Sequence, residues 1–175
     1  MPTDPVYLRS LRIEPLDPKK HDRTAFESGI ARVDNFLKRT AKKQQADDHT
    51  RVQVAVSTDA VVVGYYALNA HQIELPETGR HGANPAAYLS MLGVSSTFQG
   101  QGVGQLLMAD AFLRVLNAGH QIGLAALILD VIHDDGEAAA RRRQTFYHRL
   151  GFQSFPSQPQ RMFITLDTLR RAAAQ

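Results

Sequence analysis

Between Ala87 and Val131 the chain reads apolar, then helical, then apolar again, and that order leaves few folds open. Ala87 to Val94 (AYLSMLGV) has the make-up of a strand. Val103 to Asn117 (VGQLLMADAFLRVLN) has the periodicity of a helix of at least three turns. Its polar positions Asp110, Arg114 and Asn117 form only a narrow stripe, so most of its circumference must be buried against a sheet. Leu124 to Val131 (LAALILDV) is apolar almost throughout, as expected of a strand covered on both faces in a parallel region. Strand, buried helix and buried strand in that order predict a right-handed βαβ crossover.

The flanking segments supply the rest of a mixed sheet. Tyr7 to Leu16 reads as a strand ended by Pro15 and Pro18. Ser28-Gly29 can open a helix in which Ile30, Val33, Phe36 and Leu37 recur at helical spacing. Val52 to Val56 and Val61 to Leu68, joined by Ser57-Thr58-Asp59-Ala60, read as a hairpin. Glu74 to Pro85 carries two prolines with Gly79 and Gly82 and reads as a long loop. Glu137 to Leu150 reads as a helix stopped by Gly151, and Met162 to Leu166 as a last short strand. The expected class is α/β, with antiparallel early strands and one central βαβ unit. A length of 175 residues with 43% hydrophobic residues suits a single domain spanning residues 1–175.

Inside the predicted crossover lies Gln99-Gly100-Gln101-Gly102-Val103-Gly104, directly before the helix. The first N–H groups of a helix lack intrahelical partners and the macrodipole is positive there, so an anion can lie against bare amides where no Cβ obstructs it. The spacing is neither the dinucleotide G-x-G-x-x-G nor the P-loop G-x-x-x-x-G-K-[ST]. Gln105 stands where a P-loop would place its Lys, and no Lys follows Lys43, which argues against a nucleotide γ-phosphate site. A glycine-rich turn that merely links strand to helix is the plainer reading, and the flanking strand and buried helix weaken it.

Composition removes other chemistries. Cys is absent, so disulfides, thiolate metal sites and a cysteine nucleophile are excluded. The seven His are dispersed without H-x-x-x-H or H-E-x-x-H spacing, so no metal site is expected. No apolar run reaches 18 residues and the N-terminus lacks the apolar core of a signal peptide, so the expectation is a cytoplasmic protein with no membrane partner. The net charge of +3 is mild, and its distribution says more. Lys38, Arg39, Lys42 and Lys43 crowd one helical stretch, and Arg141, Arg142 and Arg143 are consecutive. Such runs are more often solvated helix faces than nucleic-acid footprints.

The stretch from Leu92 to Val115 (LGVSSTFQGQGVGQLLMADAFLRV) resembles motif A of the GNAT acetyltransferases, with Gln99-x-x-Gly102-x-Gly104 matching their [RQ]-x-x-G-x-[GA] loop. Phe146-Tyr147-His148-Arg149-Leu150-Gly151-Phe152 resembles the FY-x-x-x-GF segment of the same family. Phe26-x-x-Gly29 with Val33-Asp34-x-Phe36-Leu37, the Gly64-Tyr65-Tyr66 strand and the ending Pro159-x-Arg161-Met162-Phe163-Ile164-Thr165-Leu166 resemble the branch that includes toxins of type II toxin-antitoxin modules. One departure stands out, since HDDGEAAARRRQT before Phe146 is longer than the connection usual in the family. It reads either as a helix extended by a turn or two, or as an altered acceptor pocket or basic RNA-facing edge.

The resemblance implies a six- or seven-stranded mixed sheet flanked by helices, with acetyl-CoA as cosubstrate. Its pyrophosphate would lie on the amides of Gly100, Gln101, Gly102, Val103, Gly104 and Gln105, with Gln99 opening the loop. Its pantetheine arm would lie along Leu92, Gly93 and Val94, where a backbone N–H near Val94 would stabilise the oxyanion. Tyr147 is the implied general acid for the departing thiolate, and a packed core aromatic is the bland alternative. The base that frees the amine has no clear owner among His71, Glu74, Tyr88, His133 and Asp134. An α-amine with a pKa of about 8 is partly neutral at physiological pH and needs no dedicated base.

For partners, the branch implies an aminoacyl-tRNA as acceptor in a translation-blocking reaction, a small DNA-binding antitoxin, and homodimers. Two other readings stay open: acetylation of a small amine, peptide N-terminus or lysine, and a non-catalytic module that only binds acyl-CoA.

Overall fold

The computed structural model describes residues 5–75 and 80–174. Its strands form a seven-stranded mixed sheet in the order β1-β2-β3-β4-β5-β7-β6. The chain divides into two compact units, Met1–Asn69 with Ser90–Ala111, and Ala70–Leu89 with Phe112–Gln175.

The first unit holds α1 (Pro5–Ser10), β1 (Arg12–Pro15), α2 (Ala31–Asn35), a π turn at Phe36–Thr40, α3 (Ala41–Ala46) and β2 (Arg51–Val56). It also holds the leading part of β3 (Val62–Leu75), the end of β4 (Arg80–Val94) and the start of α4 (Val103–Gln121). The strand expected over Tyr7 to Leu16 is corrected, because Pro5 to Ser10 is helical and only Arg12–Pro15 is extended. Proline is at home in a first helical turn, and Leu8 and Leu11, three residues apart, suit a helical turn as well as a strand. Ser10 Oγ donates to the Tyr7 carbonyl at 2.6 Å and closes that turn. The hairpin is as expected, with β2 antiparallel to both β1 and β3.

The helix after Gly29 begins at Ala31, with Ile30 in the capping position and no side-chain cap. Ser28 instead meets the helix through Asp34, whose Oδ1 accepts from the Ser28 N–H at 2.8 Å and from its Oγ at 2.6 Å. Val33, Leu37 and Ala41 are buried along one side, as their spacing requires.

Two glycines set how closely this unit packs. A Cβ on Gly64 would lie 2.9 Å from Leu107 Cδ1 and 3.2 Å from Val103 Cγ1, so β3 admits the first turns of α4 only because Gly64 has no side chain. On Gly93 a Cβ would lie 2.4 Å from Val33 Cγ1 and 3.1 Å from Tyr65 Cε1. Val33 is β-branched and cannot swing clear, while Tyr65 is fixed by its hydroxyl donating to the Val33 carbonyl at 2.7 Å. Gly93→Ala is therefore expected to destabilise the protein by about 1–3 kcal/mol and to lower Tm by roughly 5 °C. Thermal melting checks this, and an unchanged Tm would contradict the packing argument.

The second unit holds the rest of β3, β4 and α4, with β5 (Ala126–Asp130), α5 (Glu137–Arg149), β6 (Gln153–Phe155), β7 (Gln158–Thr165) and α6 (Leu166–Ala173). β5 pairs parallel with β4 and antiparallel with β7, which explains why its sequence is apolar on both faces. The long loop expected over Glu74 to Pro85 is also corrected: β3 runs to Leu75 and β4 starts at Arg80, and 76–79 lie outside the described residues. Gly82 takes φ +76° within β4. In this unit a Cβ on Gly119 would lie 2.3 Å from Leu166 Cδ2, so α4 and α6 meet at a glycine.

Candidate active site

In the first unit β4 ends at Val94 and a single 3-10 turn (Ser96–Phe98) leads to Gln99. The Gln99 side chain does not reach outward. Its Nε2 donates to the carbonyls of Val94 and Ser28, both at 2.9 Å, and Gln101 Nε2 donates to the Thr97 carbonyl at 2.9 Å. Both glutamines thus satisfy carbonyls and leave amides exposed. Gly100 and Gly102 take φ +73° and +87°, a region that costs an ordinary L-residue about 1–2 kcal/mol.

α4 begins at Val103, and Leu106 N–H donates back to the Gly102 carbonyl at 3.0 Å. Among the described residues no well-formed main-chain hydrogen bond is donated by the N–H groups of Gly100, Gln101, Gly102, Val103, Gly104 or Gln105. Six amides without partners therefore gather at the positive end of a 19-residue helix. Val103 is buried with 1% exposure and anchors the turn from below, while Gly100 and Gln105 are exposed. An arrangement of this kind can receive a polyanionic group on main chain alone.

The strand leading into it is the end of β4. β4 pairs with β5 only from Ala86↔Ala126 to Leu89↔Leu129, and β5 ends at Asp130, whereas β4 continues through Leu92 and Gly93 to Val94. A strand that outruns its neighbour presents backbone groups able to bond an extended ligand.

In the second unit Tyr147 lies near the end of α5 and keeps 8% of its surface exposed. Its ring meets Phe146 and Phe152 edge-on, with centroids 5.3 and 5.7 Å away. Among the described residues its hydroxyl has no hydrogen-bond partner. Burial pushes its pKa up to about 12, and the charge of Arg143 opposes that rise.

The helix ends just beyond it. The Tyr147 carbonyl accepts from the N–H groups of Leu150 at 3.0 Å and Phe152 at 3.1 Å, and Gly151 N–H donates to the His148 carbonyl at 3.0 Å. Gly151 takes φ +98°, as this reversal requires.

The candidate bases separate into two groups. His71 and Tyr88 come together, with ring centroids 5.4 Å apart. Tyr88 donates to Asp130 Oδ2 at 2.9 Å, and Arg161 grips the same carboxylate through Nε and Nη2, each at 2.8 Å. Arg161, with help from Tyr88, holds the Asp130 carboxyl below its usual range against partial burial, which makes it a poor base. Glu74, His133 and Asp134 are exposed. Sequence reasoning gave no role to Asp130 or Arg161. The one carboxylate at the end of an otherwise apolar strand was the available signal, and its Arg161 partner follows only from the β5–β7 register.

The basic runs also differ. Lys38, Arg39, Lys42 and Lys43 are exposed and make no ion pair among the described residues. Arg141 pairs with Glu137 at 2.7 Å, and Arg143 with Asp135. No helix among the described residues is long and apolar enough to cross a membrane.

Comparison with known proteins agrees with this geometry. Residues 48–154 match the model of the acetyltransferase (GNAT) domain. A probable toxin TacT from Sinorhizobium fredii is 44% identical, covering 90% of this chain and 92% of the relative. A tRNA-acetylating toxin from Mycobacterium tuberculosis is 30% identical, covering 85% and 89%. Among solved structures, a tyrosine-to-phenylalanine mutant of KacT superposes with TM-score 0.82 at 26% identity, covering 93% of this chain and 99% of that one.

Proposed function

Because the chain belongs to the GNAT acetyltransferase family, we propose that it moves the acetyl group of acetyl-CoA to the free amine of an aminoacyl-tRNA, and so acts as a translation-blocking toxin. The observation that carries the donor is the row of six unpartnered amides from Gly100 to Gln105 at the start of α4. It suits a pyrophosphate, which needs many N–H donors and no fixed cation. The acceptor rests on the relatives, one named a probable toxin TacT and the other a tRNA-acetylating toxin.

In this reading the pyrophosphate lies on the loop and the pantetheine arm along Leu92 to Val94, where a backbone N–H near Val94 faces the thioester oxygen. A positioned donor of that kind contributes about 3 kcal/mol to the transition state. The neutral amine attacks the acetyl carbon, the C–N bond forms, and the C–S bond breaks. The thiolate takes its proton from the Tyr147 hydroxyl, the amine gives up its own to water, and the phenolate takes a proton back from water to restore the acid. The acceptor's own α-amine pKa of about 8 supplies the neutral form without a dedicated base. The whole of residues 1–175 serves as one catalytic domain acting in the cytoplasm, where charged tRNA and acetyl-CoA occur, and a small antitoxin would restrain it.

Incubating the protein with labelled acetyl-CoA and, separately, charged tRNA, uncharged tRNA, polyamines and peptides tests the assignment. Label is expected on charged tRNA alone and should leave with the amino acid when the ester bond is cleaved by mild base. Expression should arrest growth, and Tyr147→Phe should restore it. Label on peptides or polyamines instead would overturn the acceptor, and saturable CoA binding without thiol release for any amine would overturn the enzyme reading.

A further inference from the structure

Arg143 stands one helical turn before Tyr147 on α5, and residues four apart on a helix share a face. It is also what fastens the 132–136 turn to that helix. Its Nη1 donates to the Ile132 carbonyl at 2.8 Å and to Asp135 Oδ1 at 2.6 Å, while Nη2 donates to Asp135 Oδ2. The pair is half-buried, with side-chain exposures of 25% and 33%, against 75% and 73% for the ordinary surface pair Arg141–Glu137 on the same helix.

The adjoining face of α5 is held independently. Gln144 Nε2 donates to the Pro159 carbonyl at 3.0 Å and Ser154 Oγ at 3.2 Å, and His148 Nδ1 lies 3.0 Å from the Phe152 carbonyl. One face is thus tied to the β6–β7 hairpin, and contacts on the other face add a second restraint on the rotation of the helix about its axis. There Arg143 contacts the preceding turn at Ile132 and Asp135, and the charge of Arg142 also acts on the Asp135 carboxylate.

We propose that Arg143 is a positioning residue for Tyr147: by gripping Ile132 and Asp135 it fixes how α5 is rotated and where the phenol points. The proposal rests on Tyr147 being the general acid. It gives the connection before Phe146 a task, since Arg143 holds the turn at its start. The guanidinium is in addition the charged group that acts on the phenol, whose ring neighbours Phe146 and Phe152 are apolar, and Asp135 balances part of that charge.

The test compares Arg143→Gln and Arg143→Lys in the wild-type and Tyr147→Phe backgrounds, with acetyl-CoA and charged tRNA. Arg143→Gln is expected to lower kcat about 10- to 100-fold while leaving KM for acetyl-CoA unchanged, the cost of misplacing a reacting group by about an ångström. Arg143→Lys should recover part of the loss, because an ammonium keeps the charge but cannot make the forked contact. In the Tyr147→Phe background Arg143→Gln should change kcat less than about twofold, as expected of residues acting as a unit. Equal losses in both backgrounds, or a raised KM with kcat intact, would overturn the proposal. An unchanged kcat in Tyr147→Phe alone would overturn the acid assignment first, and is told apart because it involves no change at Arg143.

Discussion

Tyr147→Phe is expected to lower kcat about 100- to 1,000-fold, the usual contribution of a positioned acid, while leaving KM for acetyl-CoA and Tm close to wild type. The substitution removes one oxygen whose hydrogen has no protein acceptor among the described residues, and the ring keeps its packing against Phe146 and Phe152. Loss of rate without loss of fold is what separates a working hydroxyl from a core aromatic. A variant with wild-type kcat would show that the phenol only packs.

The pH profile supplies an independent check. Burial raises the phenol's pKa to about 12, so the donor form persists well above neutrality. The acid is thus not what limits the rate between pH 6 and roughly pH 11. The limiting group on the acid side is the acceptor's amine, with a pKa of about 8. kcat/KM should therefore climb to about pH 8 and then stay level until the phenol itself begins to ionise. A fall centred near pH 9 in wild type would contradict the assignment.

Gly102→Ala is expected to weaken acetyl-CoA binding about 10- to 100-fold, seen as a raised Kd in calorimetric titration. At φ +87° any side chain strains the backbone, and a residue forced out of such a conformation costs about 1–3 kcal/mol, equivalent to the stated loss in affinity. If the strain is relieved by rotation, the Gly102 carbonyl leaves the Leu106 N–H and the row of amides loses its common direction. Gly100→Ala is a useful companion, because a Cβ there meets no atom within 4 Å and only the φ of +73° opposes it. It should weaken binding through the same backbone term without crowding the protein. Unchanged affinity in both variants would remove the loop from the donor site.

Much of this was legible in the sequence because it is local. The crossover from Tyr88 to Val131 announces itself by periodicity and the loop by glycines directly before a helix, while the role proposed for Tyr147 comes from a motif contained in seven consecutive residues. Features that depend on pairing partners were not legible. Glu74 and Leu75 with Arg80 to Pro85 continue β3 and β4, because strand pairing outweighed the local turn propensity of Gly82 and Pro85. Gln153–Phe155 is three residues long, too short for any alternation to register, and it exists through its pairing with β7. The Tyr88–Asp130–Arg161 cluster needs the register of three strands. The demand for glycine at 93 comes from Val33 and Tyr65, residues 60 and 28 positions away in the chain.

The way α5 stops gives the count of residues between Tyr147 and Gly151 a geometric meaning. The reversal fixes which carbonyl must accept from the amide after the glycine, and that carbonyl belongs to Tyr147 itself. The glycine therefore acts as an indexing mark for the phenol. Moving it one position along the chain would hand the same main-chain bond to a neighbouring residue and turn the tyrosine roughly 100° around the helix axis. A segment of the form FY-x-x-x-GF should thus tolerate a changed side chain in its middle better than a single insertion or deletion there, which should be as damaging as losing the tyrosine.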